Sequence, residues 1–114
     1  MAAIVESWEI FKDWLSAAVH LSHFQLHVTL GLALTVLIGR LLRKPLGSFL
    51  PLLIVLVLEL ANELSDFLRY HLANWPWTPR ETLIDIAITM LPPLALVLAA
   101  RMATQLRASR RGAA

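Results

Sequence analysis

The chain has no cysteine and little of several other features that soluble enzymes use. Without cysteine it forms no disulfide, has no thiol nucleophile and holds no metal through thiolates. It has 4 glycines, none of them in a phosphate-cradling loop, and its serines lie in no nucleophile elbow. Serine or cysteine nucleophiles and phosphate-loop chemistry are therefore excluded, a non-enzymatic role is favoured over catalysis, and the sequence predicts no cofactor.

Charge is also scarce in this chain. Only 16% of the 114 residues are Asp, Glu, Lys or Arg, whereas 58% are hydrophobic. Residues 28–39, 46–58 and 86–100 contain no charge at all, although a soluble helical bundle would interrupt such runs with polar faces. The composition predicts a single small domain that is integral to a membrane, and it gives no reason to expect nucleic acid as a partner.

The N-terminal segment, residues 4–22, has the pattern of an amphipathic helix. Trp8 and Phe11 lie on one side, and the acidic residues Glu9 and Asp13 lie on the other. Because a secretory signal peptide starts with basic residues, this segment is not expected to be one. We expect the helix to lie in the membrane interface or, as an alternative, to pack half-buried against the spans.

Three further segments predict membrane spans, which gives an all-α protein with three transmembrane helices after an N-terminal amphipathic interfacial helix. The predicted spans and the basic tail that follows them are residues 24–42, 48–70, 79–100 and 101–114. Pro51 falls in the first turn of the second span, where a proline costs little, and Pro92-Pro93 should kink the third. The whole chain is expected to form one membrane domain.

The distribution of basic residues predicts an orientation. Seven of the ten Lys and Arg residues lie in the turn around Arg43 or in the C-terminal tail, which three spans place on the same side. Because cytoplasmic segments are enriched in Lys and Arg, we expect a multi-pass protein of the bacterial inner membrane, with its N-terminus outside and its C-terminus in the cytoplasm. The expected partners are membrane lipids, with another membrane protein or a second copy of the chain as further candidates.

One stripe of polar residues interrupts the apolar second span. Glu59, Asn62, Glu63 and Asp66 fall on one helical face. Because carboxylates in hydrocarbon are costly without partners, this face must point into the bundle or into a wet cavity. We interpret it as a binding site, and the alternative is a structural network with nearby arginines and histidines.

The other helices add polar faces at the same level. Asp85 and Thr89 share a face of the last span, and His20, His23 and His27 are expected to share a face around the start of the first. Helix packing would bring these faces together. The predicted ligand-binding residues are Glu59, Asn62, Glu63, Asp66, Arg69, Arg80, Asp85, His23 and His27. A metal at the histidines stays open, because no hydrolase spacing appears among them.

Three patches, in the same order along the chain, resemble the VanZ-like family of small bacterial membrane proteins. His23-Phe24 is similar to the family's histidine and aromatic pair at the start of a span. Glu59 followed by Asn62 resembles its glutamate with a glutamine or asparagine three residues later, and Arg80 with Asp85 resembles its last-span series. The resemblance covers roughly residues 23–100 and implies that these polar residues form one site.

The resemblance and the polar stripe together predict an outward-facing pocket that binds a lipid or envelope-precursor headgroup. Arg80 and Arg69 would attract its phosphate, while Glu59 and Asp85 would orient donor groups. Two other classes of function fit the same residues. The chain could be an accessory or assembly subunit whose polar stripe meets another membrane protein, or a small oligomeric pathway for protons or cations.

Overall fold

The computed structural model describes residues 2–113, except for the side chains of His23 and Ala113, and this part of the chain contains four helices and no strand. The helices are Ala2–Val19 (α1), His23–Leu41 (α2), Phe49–Leu72 (α3) and Pro79–Ala113 (α4). Helix α2 packs against α3 and α4, α3 also packs against α4, and α1 packs against α3. The molecule measures 65 by 26 by 26 Å, so its shape is elongated.

Local sequence signals set the ends of these helices. His20, Arg43 and Asn74 adopt the left-handed conformation, with φ of 55°, 54° and 56°, just after the first three helices. Ser22 and Ser48 then accept hydrogen bonds from the first turns of α2 and α3. Because the turns from α2 to α3 and from α3 to α4 are short and these three helices pack together, α3 lies antiparallel to α2 and α4.

The distribution of polar and apolar side chains is reversed relative to a water-soluble protein. Apart from Pro51 and Pro93, only four hydrophobic side chains are buried in the described part, whereas six polar or charged ones are: Glu9, His27, Thr35, Glu59, Glu63 and Thr89. Large apolar side chains, such as Leu53, Leu91 and Trp14, are exposed on every helix. An exterior of this kind needs an apolar environment to cover it.

Two helices are long and apolar enough to cross a membrane, because Phe24–Leu41 of α2 and Pro79–Gly112 of α4 each contain an apolar window of 18 residues. Only 28% and 17% of the residues in their most apolar windows are buried inside the protein. A core helix of a soluble protein would be mostly buried, so these two helices indicate association with a membrane.

The predicted count of three membrane spans is wrong, because of the described helices only α2 and α4 are apolar enough to count as candidate spans, whereas α3, which runs back between them, is not. Every stretch of 18 residues within α3 contains Glu59, Glu63 and Asp66, and this density of acids exceeds what a span tolerates. The apolar run 46–58 covers only the first part of the helix. Helix α4 itself continues past residue 100, through the basic tail, to Ala113.

Helix α1 packs against α3 through its polar side. The ammonium of Lys12 lies 2.6 Å from Oδ1 of Asp66, 2.8 Å from Oδ1 of Asn62 and 3.2 Å from Oε2 of Glu9. The indole N–H of Trp8 also donates to Oδ1 of Asn62, at 3.1 Å. The three oxygens around Lys12 match the three protons of its ammonium. This lysine therefore holds α1 on the acidic stripe of α3, which is formed by Glu59, Asn62, Glu63 and Asp66.

A second cation extends the same contact. The guanidinium of Arg69 lies 3.3 Å from Oε2 of Glu9 and 3.6 Å from Oδ2 of Asp13. The hydroxyl of Ser65 donates to Oε1 of Glu9 at 3.2 Å. Although the side chain of Glu9 is only 5% exposed, both of its oxygens therefore have partners. The polar side of α1 thus closes one side of the bundle with a connected ionic network.

Helices α2 and α4 approach most closely at Gly31. Pro93 has no N–H, so the carbonyl of Thr89 has no helical donor and is free to face a neighbouring helix. A Cβ placed on Gly31 would lie 2.3 Å from that carbonyl oxygen, which is far inside van der Waals contact. Gly39, farther along α2, has more room, because its Cβ would lie 3.5 Å from Cγ of Pro51. Of these two glycines of α2, Gly31 is therefore the one that requires the absence of a side chain for helix packing.

We expect Lys12→Met to loosen α1. The substitution keeps the apolar stem but removes the ammonium, which leaves Asp66 and Glu9 without their nearest cation. The free energy of local opening should fall by about 2 to 3 kcal/mol, because part-buried carboxylates lose charged hydrogen bonds. This free energy of opening is measured by hydrogen exchange of the α1 amides in detergent micelles. Lys44→Met, at an exposed position, is the matched control, and equal exchange in the two variants would contradict this role of Lys12.

We expect Gly31→Ala to destabilise the protein by about 1 to 3 kcal/mol, because its methyl group must push α4 away from α2. Gly39→Ala changes the same residue type in the same helix without a clash, and it should be neutral or stabilising by up to about 1 kcal/mol through helix propensity. Thermal unfolding in detergent compares the two variants. Equal melting temperatures would show that the close approach at Gly31 contributes nothing.

Candidate ligand cavity

A cavity of about 1100 Å³ opens beside the acidic stripe and is lined by residues of all four helices. Leucine side chains, including Leu26, Leu30 and Leu58, form part of its wall, and Trp75 and Trp77 lie at the end near the turn before α4. The volume is at the upper end of the range for small-molecule sites. The cavity therefore has room for a polar group together with part of an apolar chain.

The formal charge of the cavity wall is strongly negative. Its lining includes two basic residues, Lys12 and Arg69, and seven acidic ones: Glu9, Asp13, Glu59, Glu63, Asp66, Glu81 and Asp85. Both cations already contact carboxylates of α1 or α3. Clefts lined by one sign of charge concentrate ligands of the opposite sign, so the cavity is suited to a cationic group.

The most buried polar groups lie where α2, α3 and α4 meet. Nδ1 of His27 lies 2.7 Å from the hydroxyl of Thr89 and 3.4 Å from Oε1 of Glu59. The longer distance is an electrostatic contact rather than a directed hydrogen bond. Glu59 and Glu63 are 8% and 5% exposed, and Oε1 of each has no hydrogen-bond partner among the described residues. Buried oxygens of this kind are uncommon in native proteins.

Two overlapping sets of side chains have the spacing of metal ligands. His27, Glu59 and Glu63 form the buried set, and Glu63 forms a second set with Asp66 and Asp85. Within each set the possible ligand atoms all lie within 4.8 Å of one another. Imidazole nitrogen and carboxylate oxygen are ligands that divalent transition metals accept.

Burial perturbs two carboxyl groups that lie outside the candidate membrane spans. Burial, together with the neighbouring carboxylates Glu59, Asp66 and Asp85, raises the pKa of Glu63 to about 8. Burial and the nearby carboxylate of Asp66 also raise the pKa of Glu9, although Lys12 opposes the shift. Both shifts express the cost of crowding negative charge in this cavity, which a bound cation would relieve.

Seven of the nine predicted ligand-binding residues line the cavity: Glu59, Asn62, Glu63, Asp66, Arg69, Asp85 and His27. Arg80 does not, because it is exposed in the first turn of α4. The side chain of His23 lies outside the described residues. The expected face of three histidines is not formed, because the helix is interrupted at residues 20–22 and His20 is exposed in that turn.

The sequence analysis does not name Lys12, and it does not include Thr89 among the predicted ligand-binding residues. Lys12 follows Glu9 by three residues and precedes Ser16 by four, so the three share a helical face, and this spacing could have placed the lysine among the polar partners of α3. Thr89 was placed on a polar face with Asp85. Its contact with His27 depends on the close approach of α2 and α4, which no local pattern in the sequence indicates.

This arrangement can bind a cation by electrostatic attraction and hold an apolar chain against its leucine wall. Comparisons of the chain with protein-family models, with curated proteins and with solved structures give no match, so the cavity itself carries the functional argument.

Proposed function

We propose that this chain is a VanZ-like membrane protein whose cavity binds the headgroup of a lipid or envelope precursor, and that the group recognised there is an ammonium. The excess of carboxylates over cations in the cavity wall carries this proposal. In the described part of the chain, no Lys or Arg lies within 4.0 Å of the carboxylates of Glu59 or Glu63. An ammonium donates to several carboxylates at once through charge-assisted hydrogen bonds.

The position of the arginines favours an ammonium over a phosphate as the recognised group. Arg80 is outside the cavity, and the guanidinium of Arg69 contacts Glu9 and Asp13. A phosphate would have to displace these carboxylates and would then face the remaining acids. A headgroup that carries both charges would therefore place its ammonium in the cavity and its phosphate toward the opening.

The apolar part of the cavity supports an amphiphilic ligand. Leu26, Leu30 and Leu64 line it beside the carboxylates, and the outer surface of the helices is apolar as well. A lipid can thus place its chain against leucine side chains while its headgroup enters the polar region. The polar residues Glu59, Asn62 and Asp85 come from two distant patches of the family resemblance, and their shared cavity supports the VanZ-like relationship.

We further propose that the protein lies in the bacterial inner membrane with its basic end in the cytoplasm. The guanidinium of Arg101 donates to the carbonyl of Gly47 at 3.0 Å, so the basic turn after α2 and the basic half of α4 lie at the same end. The acidic cavity and α1 are at the opposite end. Because basic segments of membrane proteins stay on the cytoplasmic side, this arrangement would place the N-terminus and the cavity outside.

The absence of native cysteine permits a clean test of this orientation. Ala73→Cys places a thiol in the exposed turn before α4, and Ala108→Cys places one on the exposed basic half of α4. In intact spheroplasts, a membrane-impermeant maleimide should label the first variant at once and the second only after the membrane is permeabilised. The reverse pattern, or equal labelling of both, would overturn the proposed orientation.

Lipid retention tests the ligand. In native mass spectrometry of EDTA-washed protein, wild type should retain phosphatidylethanolamine in preference to phosphatidylglycerol, because the two share a phosphodiester and only the first carries an ammonium. Asp85→Asn should lower that preference by about 10-fold, since it removes one charged hydrogen bond from the cavity. Glu6→Gln removes an exposed acid of α1 that does not line the cavity, so it should behave as wild type.

Equal retention of the two lipids by wild type would overturn the proposal, and so would an Asp85→Asn variant that keeps the full preference. If the protein purifies with a stoichiometric membrane-protein partner that covers the cavity and excludes lipid from it, the proposal of headgroup binding is replaced by that of an accessory role.

A further inference from the structure

The deep end of the cavity contains a side-chain cluster that headgroup binding does not explain. His27, Glu59 and Glu63 each offer one possible ligand atom, these atoms lie within 4.8 Å of one another, and all three residues are buried. Glu59 and Glu63 lie one helical turn apart on α3, and His27 faces them from α2. A cation here would join the two helices.

The two carboxylates supply an independent indication of a ligand. Oε1 of Glu59 and Oε1 of Glu63 are fully buried and have no hydrogen-bond partner in the described part of the chain. The nearest basic group of the described residues is the imidazole of His27, 3.4 Å from Oε1 of Glu59. Buried carboxylates are normally paired or coordinate a metal. A cation placed among these three residues would give both oxygens the partner that they lack.

We propose that His27, Glu59 and Glu63 bind a divalent first-row transition-metal cation, such as Zn²⁺ or Mn²⁺. One imidazole nitrogen and two carboxylate oxygens are a donor set that these ions accept, whereas Ca²⁺ and Mg²⁺ prefer oxygen alone. Ligand atoms about 2.1 Å from such an ion stand about 3.4 Å apart in a tetrahedral site, so small rotations of the carboxylates would complete it.

The surroundings suit a bound ion. The hydroxyl of Thr89 lies 2.7 Å from Nδ1 of His27 and so restricts the orientation of the imidazole. All three ligands also line the cavity, which would leave further coordination positions open to water or to a headgroup oxygen. The inference does not rest on the proposed headgroup, because its test uses the metal alone.

Metal content tests the site directly. Untagged protein is stripped with EDTA, incubated with Zn²⁺ or Mn²⁺, passed through a desalting column and analysed by mass spectrometry of the elements. The background is a His20→Gln, His71→Gln double variant, because both histidines are exposed and could bind Zn²⁺ at the surface. This background should keep a single ion per chain. Glu59→Gln and Glu63→Gln, made in it, should each weaken binding by at least about 10-fold.

Glu6→Gln in the same background should keep the ion. The metal should also raise the melting temperature of the background protein but not that of the Glu59→Gln or Glu63→Gln variants. Glutamine matches glutamate in shape, so both variants should fold. If one of them does not fold, the metal content of the other is enough to test the site.

Metal-free protein after incubation, or equal metal in all variants, would overturn the proposed site. Neither result would affect the lipid experiment, which uses EDTA-washed protein.

Discussion

The burial of carboxylates on α3 is the constraint around which this small protein is arranged. Glu59, Glu63 and Asp66 occupy one face of a helix whose other faces are apolar and exposed. Hydrocarbon cannot solvate ionised carboxylates, so the three other helices must supply cover, partners or both. Helix α1 supplies Lys12, α2 supplies His27 and α4 encloses the far side. The fold therefore follows from the needs of a few polar groups rather than from an apolar core.

Helix α1 is an amphipathic helix that is held on the bundle by its charged side chains. Val5 and Glu9 are its buried residues, while Ile4, Trp8 and Trp14 are exposed. Ile4 and Trp8 line the open cavity, whereas Trp14 does not line it and is exposed on the outer surface. The ionic contacts with α3 are then the main specific attraction, and they determine where α1 sits on the bundle.

Much of the candidate site could be predicted from sequence, because intrahelical spacing determines which residues share a face. Glu59, Asn62, Glu63 and Asp66 fall on one face by spacing alone, and all of them line the cavity. The number of candidate spans could not be predicted in the same way. It depends on whether α3 is apolar enough to count as one, and in α3 the apolar run 46–58 and the three acids have opposite effects. The partners of each group, such as Lys12 for Asp66 more than 50 residues away, depend on tertiary packing, which spacing does not encode.

Thr89 belongs to two contacts at once. Its carbonyl oxygen faces Gly31 where α2 and α4 are closest, and its hydroxyl contacts the imidazole of His27 one turn away on α2. The register between these helices and the orientation of the imidazole are thus mechanically coupled through one residue. A shift of α4 along α2, such as a change in bilayer thickness could impose, would turn or release His27 and alter the polar end of the cavity.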